Sequence, residues 1–146
     1  MLRAIRRALA AAPAESVSPS DPLRLAVAVL LHEARRADYA HGSKEAAAAE
    51  RALADIFGLE AAESAALLEQ GRERAERLTS LYAPLAAVKR GFSQEERVRL
   101  VEHLWRVSFA EGGLDPYEDH YVRKVAHLLY VPNTQAMLAR NRARDE

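Results

Sequence analysis

Three carboxylates bracket a glycine-rich turn in the stretch Phe109-Ala110-Glu111-Gly112-Gly113-Leu114-Asp115-Pro116-Tyr117-Glu118. Oxygen-rich clusters of this kind are what hard divalent cations prefer as ligands. Carboxylate pairs also serve hydrolases, as acid and base or as holders of two metal ions. A plainer use exists for two of them. Asp115 and Glu118 have the spacing of a capping box, with Pro116 at the first helical position. Capping accounts for that pair, and neighbours such as Arg123 or His120 could neutralise the remaining acids. Capping does not account for Glu111, which falls at the C-terminal end of an apolar-periodic segment, where a negative charge costs about 0.3–1 kcal/mol. A bound cation would, and the spacing is too short for an EF-hand loop.

The same pattern occurs a second time. A shift of 73 residues aligns Leu31 with Leu104, Ala34 with Val107, Ala37 with Ala110, Asp38 with Glu111, Glu45 with Glu118, Arg51 with Lys124 and Ile56 with Leu129. Each unit carries an acid, six intervening residues and then a Glu. Glu111 extends the stripe of Leu104 and Val107, and Glu118 precedes Val122 on the next stripe. Asp38 follows Leu31 and Ala34 in the same way, and Glu45 precedes Ala49 and Leu53. The acids therefore converge on the inner ends of two hairpins, where desolvation would protonate them unless cations or donors are supplied. The expected metal-ligating set is Asp38, Glu45, Glu111, Asp115 and Glu118, for Ca²⁺, Mg²⁺ or, if His41 contributes, Zn²⁺. No catalytic residue and no other cofactor is assigned.

The elements that must position these acids are all helical, because no segment sustains a period of two. Asp21-Pro22 opens a helix through Asp38, with Leu23, Val27, Leu30, Leu31 and Ala34 on one face. A second helix runs from Ser43 to Phe57 and stops at Gly58. A third covers Glu60 to Thr79, with Ala61, Ala65, Leu68, Ala75 and Leu78 as a thin inner stripe and a charged face from Glu69 to Arg77. Leu81 to Arg90 makes a short helix ended by Gly91. Ser93 and Glu96 spell a capping box that opens a helix to Ala110. Its inner side carries Val101, Leu104, Val107 and Ser108, with Trp105 flanking. Asp115 opens the next, ending near Val131-Pro132, and Asn133 caps a last helix through Arg144. The expected fold is all-α: a single-domain bundle of about 7–8 helices containing two pseudo-repeated helix-turn-helix units. Residues 1–20 form an N-terminal helix and linker, and 21–146 the helical domain.

Composition narrows the function classes. At 146 residues the chain fits one domain, burying roughly 70% of its unfolded surface. Lys plus Arg number 21 and Asp plus Glu 21, so no net field draws in nucleic acid. With no Cys there is no disulfide, no thiolate zinc site and no thiol nucleophile, and a cytoplasmic location is expected. No run approaches the ~20 apolar residues of a membrane span. The basic, amphipathic residues 1–12 are expected to dock on the domain or fray, with membrane-surface contact as the lesser reading.

Several motifs together give the chain a family look: Leu30-Leu31-His32-Glu33-Ala34-Arg35-Arg36-Ala37-Asp38, Glu45 with Phe57-Gly58-Leu59 downstream, and Leu104-Trp105-Arg106-Val107 leading into Ala110-Glu111-Gly112. Leu114-Asp115, Tyr117-Glu118 and Val122-Arg123-Lys124-Val125 continue it. Over about residues 21–131 the sequence resembles the TerB-like family of tellurite-resistance proteins, small all-helical domains built around paired acidic turns. It departs from the usual Asp-Gly turn start in two places: Tyr39 follows Asp38, and Glu111 precedes Gly112. The resemblance implies a non-enzymatic binding or scaffold role in a stress or metal-ion response, with divalent-metal binding at Asp38, Glu45, Glu111 and Glu118. A protein partner of unknown identity is expected. Tellurite detoxification by the chain itself is not implied, since it has no redox residue. Two alternatives remain. One is a structural interaction protein without metal, using Tyr82, Phe92, Trp105 or Tyr130 to anchor an oligomer. The other is a carboxylate-dependent hydrolase. His32, His103, His120 and His127 read as core-edge or surface residues.

Overall fold

The computed structural model describes residues 21–35, 43–110 and 112–145. All regular structure among them is helical, in the order α1 (Pro22–Glu33), α2 (Ser43–Phe57), α3 (Ala61–Arg77), α4 (Tyr82–Gly91), α5 (Gln94–Phe109), α6 (Pro116–Leu128) and α7 (Asn133–Arg144). None of these helices is long and apolar enough to cross a membrane. The expected N-terminal helix and linker, residues 1–20, lie outside the described residues.

Local chemistry sets most of the boundaries. Asp21 accepts the Arg24 N–H at 3.2 Å, and Pro22 sits where its missing N–H costs nothing. Ser93 and Glu96 close a reciprocal box at the start of α5, with bonds of 2.7 and 3.2 Å. Gly58 takes the left-handed conformation, φ 69°, that ends α2. Tyr130 does the same after α6 at φ 62° without being glycine. There Tyr130 N–H reaches the His127 carbonyl and Val131 N–H the Ala126 carbonyl, the paired bonds of a Schellman motif.

Two helices organise the packing. α1 touches α2, α3, α4 and α5, and α5 touches α2, α6 and α7 as well as α1. Ala26 to Leu31 are buried without a break in α1, and Leu100, Val101, Leu104, Trp105 and Val107 are all at zero exposure in α5. Such all-round burial marks a helix enclosed by neighbours on several sides.

Four details differ from the sequence reading. α1 ends at Glu33 rather than continuing through Asp38. The inner face of α3 is Ser64, Leu67, Leu68 and Gly71, whereas Ala61 and Ala65 are exposed. α3 lies so close to α1 that a Cβ on Gly71 would stand 2.7 Å from Ala28, so the smallest residues face inward. Gly91 is the last residue of α4 rather than its stop, and a Cβ there would meet Leu23 at 2.9 Å. Trp105 is not flanking but fully buried. Its indole N–H donates to the Ala136 carbonyl at 3.1 Å, and the Phe109 ring stacks on it with centroids 6.3 Å apart. Phe92 is likewise core, so among the aromatics proposed as oligomer anchors only Tyr82 and Tyr130 are exposed.

Candidate functional site

α2 and α5 pack antiparallel. Near one end Asp55 meets Arg99 and His103, and at the other Lys44 and Ala47 share a groove with Phe109, Ala110 and Gly112. The first turn of α2 is thereby brought to the last turn of α5. A second tie joins α6 to α1. The Tyr121 hydroxyl donates to the Leu30 carbonyl in the last turn of α1 at 2.8 Å, an oxygen that also takes the Ala34 N–H at 3.2 Å. Burial raises the Tyr121 phenol well above its ordinary range, so it stays a neutral donor. The short α5–α6 turn closes the arrangement, and the first turns of α2 and α6 sit at the same end of the bundle as the last turns of α1 and α5.

That end carries the candidate acids. Glu45 and Glu118 stand in the first turns of α2 and α6, each only 4% exposed. Helix N-termini favour negative charge there. Asp115 and Glu118 form the expected box: the Glu118 N–H reaches Asp115 Oδ1 at 2.8 Å, and the Asp115 N–H reaches Glu118 Oε1 at 3.3 Å. Glu45, Asp115 and Glu118 each have further interaction partners. Gly112 takes φ 113°, a backbone that side chains rarely adopt, in the turn that leads to them. Arg123, expected as a partner of the remaining acids, binds Asp119 at 2.8 Å, and His120 is exposed.

Of the five expected ligands, then, Glu45, Asp115 and Glu118 are placed, while Asp38 and Glu111 lie outside the described residues, as does His41. Among the described residues no group of three or more His, Cys, Asp or Glu is arranged to hold a metal ion. The placed donors are all carboxylates, which suit Ca²⁺ or Mg²⁺ better than Zn²⁺.

A second polar cluster had no counterpart in the sequence reading. His103 is 7% exposed between α5 and α2, where its Nδ1 accepts from Arg106 at 3.3 Å and its Nε2–H donates to Asp55 at 2.9 Å. Burial, only partly offset by the bond to Asp55, holds the imidazole below its ordinary pKa, so it is neutral at pH 7. Desolvation pushes the Asp55 carboxyl up, but bonds from Arg99 and His103 outweigh it and the net shift is downward. Arg106 also binds Glu102, which takes Arg142 of α7 on its other oxygen at 2.7 Å. Forty or more residues separate Asp55 from Arg99 and Glu102 from Arg142. The only local signal was the i, i+3 and i, i+4 spacing of Glu102, His103 and Arg106.

The family model described as tellurite resistance protein TerB matches residues 24–141. The matched span runs from α1 into α7 and includes all five candidate acids. No curated protein and no solved structure matches the chain.

Proposed function

The chain belongs to the TerB tellurite-resistance family, and from that premise we propose that it is a non-catalytic binding module whose acidic hairpin ends take up a divalent cation. The observation that carries this reading is the pair of buried carboxylates, Glu45 and Glu118, in the first turns of two helices that start at the same end of the bundle. Asp38 and Glu111, on the turns that lead into those helices, would complete an oxygen-rich set, and Ca²⁺ or Mg²⁺ is the fitting ion. Such a cation would tie the α1–α2 and α5–α6 hairpins together and report metal availability to a protein partner, in a stress or tellurite and metal-ion response in the cytoplasm. A carboxylate-dependent hydrolase is a poorer fit, since Asp115 and Glu118 spend hydrogen-bonding capacity on capping α6.

Thermal unfolding with added Ca²⁺, Mg²⁺ or Zn²⁺ tests this. A ligand held only by the folded state at about 100 times its Kd adds about 2.7 kcal/mol, which reads as a rise in Tm of several degrees. The double variant Glu45→Gln, Glu118→Gln should lose that rise. Gln keeps the capping geometry at position 118, so the loss would report charge rather than a broken cap. The same Tm with and without each metal would refute the reading.

A further inference from the structure

The charge of the molecule is balanced overall but not locally. A groove of about 1020 Å³ runs between α2, α5 and the last turn of α7. Among the described residues four cations line it, Lys44 and Arg51 on α2, Arg106 on α5 and Arg144 on α7, against one acid, Asp55. That acid is already held by Arg99 and His103. Arg106 is matched by Glu102. Among the described residues Lys44 and Arg51 have no ion pair, and Arg144 approaches only Asp145, at 3.7 Å. Lys44, Arg51 and Arg144 are exposed. Three positive charges therefore face the groove with no compensating acid among the described residues.

Their layout selects the ligand. Lys44 and Arg51 are two turns apart on one face of α2, about 10 Å along the axis at 1.5 Å per residue. Cations spread in this way do not converge on one phosphate; they suit negative charges repeated along a chain, about 7 Å apart at every second residue of an extended peptide. The floor between them is Ala47, Ala48 and Ala143, whose small side chains let a backbone come close and whose methyl groups pack against short apolar side chains. We propose that this groove docks an extended acidic peptide segment of a partner protein, recognised by Lys44, Arg51 and Arg144.

The test uses fluorescence anisotropy with a labelled ten-residue peptide alternating Glu and Ala, and the same peptide with Gln for Glu. The Glu peptide should bind and the Gln peptide should not. Raising salt from about 50 to about 300 mM should weaken binding, since exposed charges are screened. Lys44→Glu with Arg51→Glu should weaken it by about tenfold or more, and Arg144→Glu, on the opposite wall, by several-fold. Lys124→Glu, an exposed α6 change outside the groove, should leave it unchanged. No binding of the Glu peptide, equal binding of the Gln peptide, or affinity indifferent to both groove variants would overturn the proposal. So would complete displacement by equimolar inorganic phosphate or by a single-stranded oligonucleotide, which would mark a general anion site instead.

Discussion

α2 and α6 occupy comparable places, each the second arm of a hairpin whose first arm is a central helix, yet they fill their surroundings in opposite ways. Ala48, Ala49 and Ala52 are buried in α2 where Tyr121, Val122 and Val125 are buried in α6, 73 residues further on. Glu45 and Glu118 hold the same offset with the same 4% exposure. With large side chains α6 reaches across to the α1 backbone and closes its contact through Tyr121. The alanines of α2 leave Ala47 and Ala48 lining an open groove with a basic rim. Side-chain volume at matched positions thus separates a helix that completes the core from one that leaves a binding surface.

The sharpest way to break that comparison is at Tyr121. Tyr121→Ala should cost about 3–5 kcal/mol, as for a large buried aromatic, measured by urea unfolding. Ala48→Gly, at the matching position of α2, should cost only about 1 kcal/mol. Similar losses at the two sites would show that α2 is as tightly packed as α6.

A smaller effect is expected where α3 crosses α1. The inner face of α3 carries Ser64, Leu67 and Gly71, and that of α7 carries Ala136, Ala139 and Ala143 at the same spacing. At Gly71 an added Cβ would stand 2.7 Å from the Ala28 backbone, whereas the α7 positions already carry one. Gly71→Ala should therefore destabilise by about 1–3 kcal/mol despite its better helix propensity. Ala143→Gly should cost about the propensity difference of ~1 kcal/mol. A gain in stability for Gly71→Ala would contradict the close approach.

The smallest effect concerns pH. His103 has a folded pKa below its unfolded value near 6.5, so the unfolded chain binds more protons as pH falls below about 6.5. Its contribution is fully present above that value and is lost as pH drops towards the folded pKa. His32, lowered by burial and by Arg35 and Arg72, acts in the same direction. Glu33 opposes them: burial raises its carboxyl, so its contribution is present below about 4.5 and lost as pH rises through the folded value. Unfolding monitored from pH 7.5 to 5.5 should show declining stability, and His103→Gln should flatten the curve. An unchanged slope would place His103 outside the pH response. Tyr121 remains neutral over this range, so the slope is expected from His103, between α5 and α2, and from His32 on α1.

Much of this was legible before any coordinates. The helices opened by Ser93 and by Asp115 begin where their caps lie, because a capping box joins residues only three apart. Family membership was legible as well, from Leu104-Trp105-Arg106-Val107 and the acids that follow. The burial of α3 was not. Its stripe was read through Ala61 and Ala65, since alanine carries too little apolar signal to tell an inward face from an outward one. The groove was missed for the same reason: Ala47 and Ala48 look like a helix interior, and only their neighbours decide that they line a surface. Of the candidate site, Glu45 and Glu118 were legible because they continue apolar stripes.

The sequence alone determined which segments are helical and where α1, α5 and α6 are capped, because these rest on interactions within four residues or on a repeating pattern. The tertiary structure decided the rest: that Trp105 is fully enclosed, that Tyr121 holds the Leu30 carbonyl, that burial keeps His103 neutral between Asp55 and Arg106, and that Lys44, Arg51 and Arg144 share one groove. The partners on different helices stand 31 to 100 residues apart. Contacts at that range depend on how close the helices come, and side-chain volume, as at Gly71 and Ala48, sets that distance only once the helices have met.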